Sequence, residues 1–249
     1  MKKIKALKSR KGREEAGQFL VEGEKFVHEI PEDWDIDFYV MAERYAKTHD
    51  LSVYKRRAAC EIMRDSLFDA LADTVTPQGV MAVCRQKKYA VSDMIKPDSF
   101  LLLGENLSDP GNIGALIRTA AAAGADGMIL TAGSGDIYNP KVLRSAAGAV
   151  FRLPIVTDAE LLPTTEILKK SGVALYAAHL KGEILPYALD LCAGFCFMIG
   201  NEAHGLSEKA AVSADRMVRL PMPGGTESLN ASVAGSILMY EAVRQRFAL

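Results

Sequence analysis

Three polar stretches in the C-terminal part of the chain carry the side chains best suited to chemistry. They begin at Asn106, Asn201 and Pro221, and each follows an apolar run and precedes a helical pattern. The first turn of a helix has backbone N–H groups without intrahelical partners, so such junctions often bind small polar ligands. The candidate side chains are Asn112, Arg118, Glu202, Ser228 and Asn230. The junctions alone do not identify the ligand.

The surroundings of these candidates restrict their roles. Arg118 is one of few charged residues in an apolar helical stretch, so it needs a carboxylate or phosphate partner or a place on the polar face of the helix. Asn112 precedes it by six residues, about 600° of helix, so the two side chains do not share a face. Asn112 can cap the helix or support the site, and both alternatives stay open. The third junction contains Gly224 and Gly225, which permit positive φ or the close approach of a ligand.

The elements that would position these residues form an α/β pattern. Residues 100–103 are a continuous apolar run, as expected for a parallel strand that is buried on both faces. Further strands are predicted at 128–130, 154–156, 173–178, 195–199 and 217–220, with helices between them. This alternation predicts a mainly parallel sheet. Neither a GxGxxG turn after the first strand nor a P-loop motif is present, which argues against an ordinary dinucleotide-binding or P-loop domain.

The last helix carries a broad apolar stripe. Leu229, Val233, Ile237, Tyr240 and Val243 recur at helical spacing, and a second apolar set widens the stripe at 234, 238 and 242. We therefore expect most of this helix to be buried.

The N-terminal third reads as a smaller α/β domain. A short strand near residue 20 leads at Gly23 into a helix, a strand follows at 36–41, helices are predicted at 43–48 and 61–72, and a strand at 80–84. The charged segment after residue 85 and Pro97 predict a linker at 89–98. The predicted domains are therefore 1–88 and 99–249.

The extreme N-terminus is basic. Residues 2–13 contain seven Lys or Arg residues and no acid, and Lys8, Arg10, Lys11 and Arg13 are the candidate contacts for RNA phosphates. From charge alone, a solvated basic helix face is an equally good interpretation.

Composition sets the broad class. The chain has 249 residues, 49% apolar and 24% charged, with 30 Lys and Arg against 31 Asp and Glu, so any nucleic-acid surface must be local. The four cysteines lack a CxxC pair or a nearby His, which predicts free thiols and no metal site. Without a long apolar run or a signal sequence, a cytoplasmic location is expected.

Taken together and in this order, residues 106–118, 197–207 and 220–234 resemble the motifs of the SpoU/TrmH family. The resemblance implies an S-adenosylmethionine-dependent RNA ribose 2′-O-methyltransferase of the SPOUT class, with a trefoil-knotted fold and a homodimer formed through the C-terminal domain. Residues 11–13, 19–23 and 77–79 resemble the substrate-binding domain that precedes many SpoU enzymes. This second resemblance favours ribosomal RNA over transfer RNA as the substrate and favours RNA contacts for the basic terminus.

The resemblance also assigns roles to individual residues. It implies that Ile199, Gly200, Leu220, Met222, Ser228 and Leu229 bind the cofactor, and that Asn112, Arg118, Glu202, Ser228 and Asn230 serve catalysis. Arg118 is often given the role of activating the hydroxyl, but a guanidinium is a poor base because it stays protonated. We expect Arg118 instead to stabilise the developing alkoxide and to bind the neighbouring phosphate.

Two other functions stay open at this point. One is a non-catalytic RNA-binding or ribosome-assembly factor that retains the fold, although the intact motif residues argue against it. The other is a methyltransferase that modifies a base rather than a ribose.

Overall fold

A computed structural model describes residues 2–247 of the chain. The chain forms two compact units. Each unit consists of two segments that are not adjacent in sequence. The first unit runs through Lys87 and also includes Tyr138–Phe151, while the second comprises Lys88–Ile137 and the chain from Arg152 onward.

The first unit is built on a four-stranded sheet of order β1-β4-β2-β3. Its strands are β1 (Gln18–Glu22), β2 (Ile36–Ala42), β3 (Ala59–Met63) and β4 (Val80–Arg85), and its helices are α1 (Lys2–Ala6), α2 (Arg10–Ala16), α3 (Glu24–His28), α4 (Glu43–Thr48), α5 (Ser52–Lys55) and α6 (Asp65–Leu71). Strand β3 is parallel to β2, and the other pairs are antiparallel. The predicted small α/β domain is present.

One predicted helix of this unit is partly wrong. Residues 59–63, of which the last three fall in the predicted helix 61–72, form β3 at the edge of the sheet, and the helix begins only at Asp65. The reason is long-range pairing, since Ala59–Met63 aligns with Phe38–Ala42 along β2. A local helical pattern cannot reveal such a partner.

The second unit contains a six-stranded, wholly parallel sheet of order β10-β8-β9-β5-β6-β7. Its strands are β5 (Phe100–Gly104), β6 (Gly127–Thr131), β7 (Ile155–Ala159), β8 (Ala174–Ala178), β9 (Phe195–Ile199) and β10 (Arg216–Val218). The helices of this part of the chain are α7 (Pro110–Ala122), α8 (Pro140–Ala146), α9 (Leu161–Lys170), α10 (Glu208–Ser213) and α11 (Ala231–Arg246). The predicted parallel α/β domain is confirmed.

The strand order explains how the first two polar stretches meet. Strands β5 and β9 are adjacent and parallel, with Phe100 opposite Phe195 and Gly104 opposite Ile199. Both strands are fully buried. Their carboxyl ends therefore deliver the loops after Gly104 and after Ile199 to the same edge of the sheet.

The segment Tyr138–Phe151, which contains α8, belongs to the first unit by its contacts, whereas the predicted boundaries put it in the C-terminal domain. The ring of Phe19 stacks on Tyr138 at 4.3 Å between centroids, and Trp34 meets Phe151 edge-on at 5.0 Å. The predicted linker, residues 89–98, also differs from the observed structure. Met94 is buried in the apolar cluster of the second unit together with Leu101, and Val91 and Ile95 pack against that cluster, so the middle of residues 89–98 is packed while its ends are exposed.

The expectation that most of α11 is buried is wrong for this chain. Its buried residues are Gly235, Leu238, Met239 and Ala242, whereas Val233, Ile237 and Tyr240 are 46%, 44% and 53% exposed. The helix packs on α7 through its small-residue face, where a Cβ on Gly235 would lie 2.6 Å from the Leu116 side chain. Since only one side of the broad stripe can face α7, the other side is left at the surface.

Candidate active site

The first junction is held by the cap of α7. The Asp109 side chain accepts a hydrogen bond from the backbone N–H of Asn112 at 2.8 Å, and Pro110 occupies the first helical turn, where no N–H is needed. Asn112 is therefore not the cap, and that alternative from the sequence is wrong. Its side chain is free for other contacts and is 8% exposed.

The second junction is a tight turn after β9. Asn201 and Gly205 exchange backbone hydrogen bonds of 3.0 and 2.8 Å. A Cβ on Gly200 would lie 2.1 Å from backbone atoms of Gly205 and Leu206, so only glycine allows this close approach. The Asn201 side chain donates to the backbone carbonyl of Asn106 at 2.8 Å and so ties the second junction to the first.

The third junction ends at the cap of α11. The Asn230 side chain accepts hydrogen bonds from the backbone N–H groups of Ser232 and Val233, at 2.9 and 3.3 Å. Gly225 has a φ of +78°, as the loop requires, whereas a Cβ on Gly224 would meet nothing within 4 Å. The loop between Leu220 and Asn230 is largely exposed.

Asn112 joins the three junctions in one network. Its Nδ2 donates to Glu202 Oε1 at 3.1 Å, and its Oδ1 accepts from Asn230 Nδ2 at 2.9 Å. The Ser232 hydroxyl lies within hydrogen-bond distance of both Asn112 Oδ1 and Asn230 Oδ1, at 3.2 and 2.7 Å. Three of the five predicted catalytic residues are thus in direct contact.

Glu202 is the acceptor at the end of this network. Its carboxylate also receives the backbone N–H groups of Ser108 and Asp109, at 3.2 and 3.0 Å, and the Ser108 hydroxyl at 3.1 Å. Partial burial acts to raise the pKa of Glu202, but hydrogen bonds from its own backbone, from Asn112 and from the first junction outweigh burial and lower the pKa below that of an ordinary glutamate. The carboxylate is therefore held ionised and in one orientation.

A cavity of about 350 Å³ opens beside this network. All six predicted cofactor residues line it, together with Glu202: Ile199, Gly200, Leu220, Met222, Ser228 and Leu229. Its size falls within the range of small-molecule sites. Most of these side chains are apolar and suit a flat ring, while Glu202 places a negative charge where a cationic group could be held.

Arg118 occupies a different position. It is exposed on α7, does not line the cavity, and has no hydrogen bond or ion pair with any side chain among residues 2–247. The Glu202 carboxylate contacts the first junction and not Arg118 within residues 2–247. The Arg118 guanidinium is consequently free to bind a group from outside the chain.

The basic terminus is mostly paired with acids that lie outside it. Lys8 lies 3.2 Å from Asp73, Arg10 lies 2.6 Å from Glu14, and Lys11 lies 3.8 Å from Glu15. These three pairs are at the surface.

Arg13 corrects the prediction of a phosphate contact at that position. It is 3% exposed, and its guanidinium donates to the Leu7 carbonyl at 2.8 Å. The side chain connects α2 to α1 inside the first unit and is not available to a phosphate.

Four contributors to the network were not predicted: Ser108, Asp109, Asn201 and Ser232. Ser108 and Asp109 immediately precede Pro110, a pattern typical of a helix start, so the cap could have been found from the sequence. The contacts of Asn201 and Ser232 depend on residues about 90 or more positions away. Nothing local indicates them.

No group of three or more His, Cys, Asp or Glu side chains within residues 2–247 is arranged to hold a metal ion. In the same range, no helix has both the length and the apolar character needed to cross a membrane.

Comparison with known sequences gives two family matches. Residues 99–240 match the SpoU rRNA Methylase family, and residues 1–82 match the MRM3-like substrate binding domain. The 23S rRNA (guanosine(2553)-2′-O)-methyltransferase RlmP of Bacillus subtilis is 32% identical over 240 residues, which cover 96% of this chain and 94% of the relative. A 23S rRNA (uridine(2479)-2′-O)-methyltransferase of Streptomyces viridochromogenes is 30% identical, with 96% and 87% covered.

Solved structures agree with these matches. The SpoU methyltransferase AviRb of Streptomyces viridochromogenes, in complex with AdoMet, superposes with a TM-score of 0.87 at 29% identity, covering 99% of this chain and 97% of that one. An AdoMet-bound rRNA methyltransferase of Sinorhizobium meliloti gives a TM-score of 0.84 at 28% identity, covering 98% and 93%. With its parallel sheet, its joined junctions and a family match over more than half of its length, the chain belongs to the SpoU rRNA methylase family.

Proposed function

We propose that this protein transfers a methyl group from S-adenosylmethionine to a ribose 2′-hydroxyl of ribosomal RNA. The observation that carries the proposal is the cavity whose lining includes all six expected cofactor residues and the fixed Glu202 carboxylate. S-Adenosylmethionine supplies an activated methyl group on a sulfonium. The names of the two curated relatives, both 23S rRNA 2′-O-methyltransferases, support the choice of RNA and of the ribose oxygen.

The cavity residues fit such a donor. Leu220, Met222 and Leu229 present apolar surface for an adenine ring, and the lack of a side chain at Gly200 leaves backbone polar groups accessible. Glu202 lies where its charge can attract the cationic part of the donor. We assign Asn112 and Asn230 to holding Glu202 and the third junction in place, and Ser228 to a direct polar contact in the cavity.

Arg118 is assigned to the RNA. A guanidinium binds phosphate with two parallel hydrogen bonds and stabilises negative charge, but it does not release its proton at neutral pH. We therefore propose that Arg118 binds the phosphate next to the reacting ribose and stabilises the developing alkoxide. Its exposure, and the lack of a side-chain partner for it within residues 2–247, support this role.

A homodimer would give Arg118 a cavity at which it can act. The exposed side of α11, made of Val233, Ile237 and Tyr240, is an apolar surface of the kind that a second copy can cover. Because Arg118 does not line the cavity of its own chain, we propose that it serves the cavity of the second copy. The trefoil knot implied by the family resemblance and the cytoplasmic location expected from the sequence stay predictions.

Lys8, Arg10 and Lys11 are proposed to bind RNA phosphates. Exposed ion pairs such as theirs contribute little free energy, typically about 0–1 kcal/mol, so a phosphate can replace the acid partner. Arg13 is left out of this set because it is buried.

The direct test is transfer of a labelled methyl group from S-adenosylmethionine to ribosomal RNA, followed by nuclease digestion and mass spectrometry. We expect the label on one ribose 2′-oxygen. Label on a base would identify a base methyltransferase. A lack of S-adenosylmethionine binding by calorimetry would instead favour a non-catalytic RNA-binding protein.

Complementation tests the role of the second copy. Arg118→Ala and Asn230→Ala variants are each expected to have little activity. If Arg118 acts across a dimer, mixing the two under conditions of subunit exchange creates one intact site in each mixed dimer and restores part of the activity. If Arg118 acts within its own chain, the mixture stays as inactive as its components.

A further inference from the structure

The first unit contains a second cavity, of about 390 Å³, that no role described above explains. It is lined by residues from β2, α3, α4 and the segment of α5, and it shares no lining residue with the cofactor cavity. Five aromatic or imidazole rings line it: His28, Tyr39, Tyr45, His49 and Tyr54. Its volume is sufficient for a small heterocycle.

Tyr39 is the first sign that a ligand belongs there. It lines the cavity and is 1% exposed, and its hydroxyl has no hydrogen-bond partner among residues 2–247. Burial raises the pKa of Tyr39, so the hydroxyl stays protonated and able to donate. The hydroxyl is accessible from the cavity, so water accepts its hydrogen in the free protein, and a bound acceptor can take the place of that water.

The hydroxyl groups of the neighbouring tyrosines, unlike that of Tyr39, have hydrogen-bond partners. The Tyr45 and Tyr54 hydroxyls are 2.6 Å apart, and the Tyr54 hydroxyl lies 2.7 Å from His28 Nε2. The Tyr39 ring meets Tyr54 only edge-on, at 5.1 Å between centroids. Tyr39 therefore differs from the rest of the cluster in lacking a partner.

The two imidazoles offer flat surfaces. The His49 ring stacks on Tyr45 at 3.8 Å with an angle of 5° between planes, and the His28 ring lies over Tyr54 at 5.7 Å and 29°. Both histidines are exposed, while the tyrosines beneath them are buried. Each imidazole thus presents a supported outer face, and unstacked RNA bases bind to such faces.

The charged lining selects among the bases. The charged lining residues are Glu24, Glu32, Asp50 and Arg57, and Glu24 lies 3.6 Å from His49 Nε2. The carboxylates accept hydrogen bonds but repel phosphate. Guanine presents adjacent N1–H and N2–H donors to a carboxylate and an O6 acceptor to a hydroxyl, which no other RNA base does. Glu32 has no ion pair or side-chain hydrogen bond within residues 2–247, so its carboxylate is available.

Cations for the flanking phosphates lie next to the lining residues in sequence. Lys25 follows Glu24, Lys47 precedes His49 by two positions, and Lys55 precedes Arg57 by two. All three lysines are exposed and form no ion pair in the described part of the chain, unlike Lys8 and Lys11 of the basic terminus. They suit a polyanion whose base occupies the cavity.

We propose that this cavity binds one unstacked guanine base of the RNA substrate. The Tyr39 hydroxyl donates to O6, a carboxylate of the Glu24 and Glu32 pair accepts from N1–H and N2–H, and an imidazole stacks on the ring. The identification of the ligand as part of an RNA rests on the proposed function. The cavity would give the first unit a means of selecting a sequence as well as binding phosphates.

The test uses the full-length protein and five RNA hairpins that differ at one unpaired loop position, which carries G, A, C, U or no base. We expect the G hairpin to bind about tenfold more tightly than the abasic one, as expected for one stacked and hydrogen-bonded base. Tyr39→Phe should reduce that advantage about threefold to tenfold without changing the affinity of the abasic hairpin. Glu32→Gln should also reduce it.

Tyr187→Phe is the matched control, since Tyr187 is exposed in the second unit and should leave all five affinities unchanged. Equal affinity for the G and abasic hairpins, or no binding of either, overturns the proposal, as does an advantage that survives both Tyr39→Phe and Glu32→Gln. Tight binding of guanosine 5′-monophosphate without any preference among the hairpins would identify a free nucleotide as the ligand and also contradicts it.

The outcome is separable from that of the proposed function. Hairpin binding requires no methyl transfer, so a preference for guanine with no methylation of ribosomal RNA would contradict only the methyltransferase. Methylation with no preference for guanine would contradict only the guanine site.

Discussion

The junctions of the second unit and the basic terminus of the first unit are both rich in polar side chains, but they are organised in opposite ways. At the junctions, Asn112 contacts Glu202 and Asn230, which lie 90 and 118 positions away in sequence. In the basic terminus, Arg10 and Lys11 pair with acids four positions away on the same helix. The junctions are joined by contacts between distant segments, whereas the basic terminus has two of its three described pairs within one helix, with Lys8 and Asp73 as the long-range pair.

This difference affects how far each region can be altered. A side chain shared by three junctions cannot change without disturbing several hydrogen bonds, because buried or half-buried donors and acceptors are left unsatisfied. A surface ion pair can be lost or exchanged at little cost. Substitutions at the junctions should therefore reduce chemistry sharply, and those in the terminus should reduce affinity slightly.

Arg118→Lys should have the largest effect, a loss of about 100-fold in kcat, because a lysine keeps the charge but cannot make the paired hydrogen bonds of a guanidinium. S-Adenosylmethionine affinity should not change, since Arg118 does not line the cavity. Arg152→Lys, at another exposed arginine of the same unit, is the control. Near-normal turnover of Arg118→Lys in a methylation assay would remove Arg118 from the reaction.

Glu202→Gln should reduce turnover about tenfold, because its amide group would point a donor at N–H groups of Ser108 or Asp109 that now donate to the carboxylate. The affinity for S-adenosylmethionine, measured by calorimetry, should fall as well. Glu183→Gln, at an exposed acid of the same unit, should change neither quantity. Full activity in Glu202→Gln would mean that the network is not needed for the site.

Arg13→Ala tests whether Arg13 stabilises the fold or binds an RNA phosphate. It should lower the free energy of unfolding by about 1–3 kcal/mol in urea titrations, because the Leu7 carbonyl loses a buried donor. RNA affinity of the folded variant should match that of the wild type. The opposite pattern, weaker RNA binding at unchanged stability, would restore Arg13 as a phosphate contact.

Lowering the pH should remove the stability that the ionised Glu202 carboxylate contributes to the folded protein. Its pKa in the folded protein is lower than that of an ordinary glutamate, so the stability that it contributes is fully present above the ordinary pKa and is lost as the pH falls through the folded pKa. Urea midpoints measured from about pH 6 to about pH 3 should therefore fall more steeply for the wild type than for Glu202→Gln. Parallel profiles would contradict the lowered pKa.

Lys11→Ala should have the smallest effect, about a twofold to threefold loss of affinity for ribosomal RNA, since one phosphate contact is removed. The slope of log affinity against log salt should fall by about one. Glu15→Ala is a useful partner variant, because it frees Lys11 and should strengthen RNA binding slightly. No change in the salt slope for Lys11→Ala would exclude it from the interface.

The sequence predicted the elements of the second unit well because buried parallel strands leave long apolar runs, as at Phe100–Gly104 and Phe195–Ile199. It failed at Ala59–Met63, where an edge strand without any buried residue carries no such run. For the candidate site, the sequence supplied Asn112, Glu202 and Asn230 through their motif. It could not supply Asn201 and Ser232, whose partners come from distant loops.

The charged residues of the basic terminus show the same limit of prediction from sequence. Counting Lys and Arg residues placed Arg13 with Lys8 and Lys11, although one is buried and the others are at the surface. The sequence likewise predicted the apolar stripe of α11, but it did not show which side of the stripe packs on α7.

The sequence by itself determined the alternation of strands and helices and the three polar junctions, because these depend on local pattern and short spacing, while the cofactor residues were assigned from the resemblance of the motifs. Only the tertiary structure decided that Asn112 links the junctions, that Arg118 does not line the cavity of its own chain and that the Tyr39 hydroxyl has no hydrogen-bond partner within residues 2–247. Those facts depend on which distant backbone segments come together, and sheet order and helix packing are set by the whole chain rather than by any one stretch.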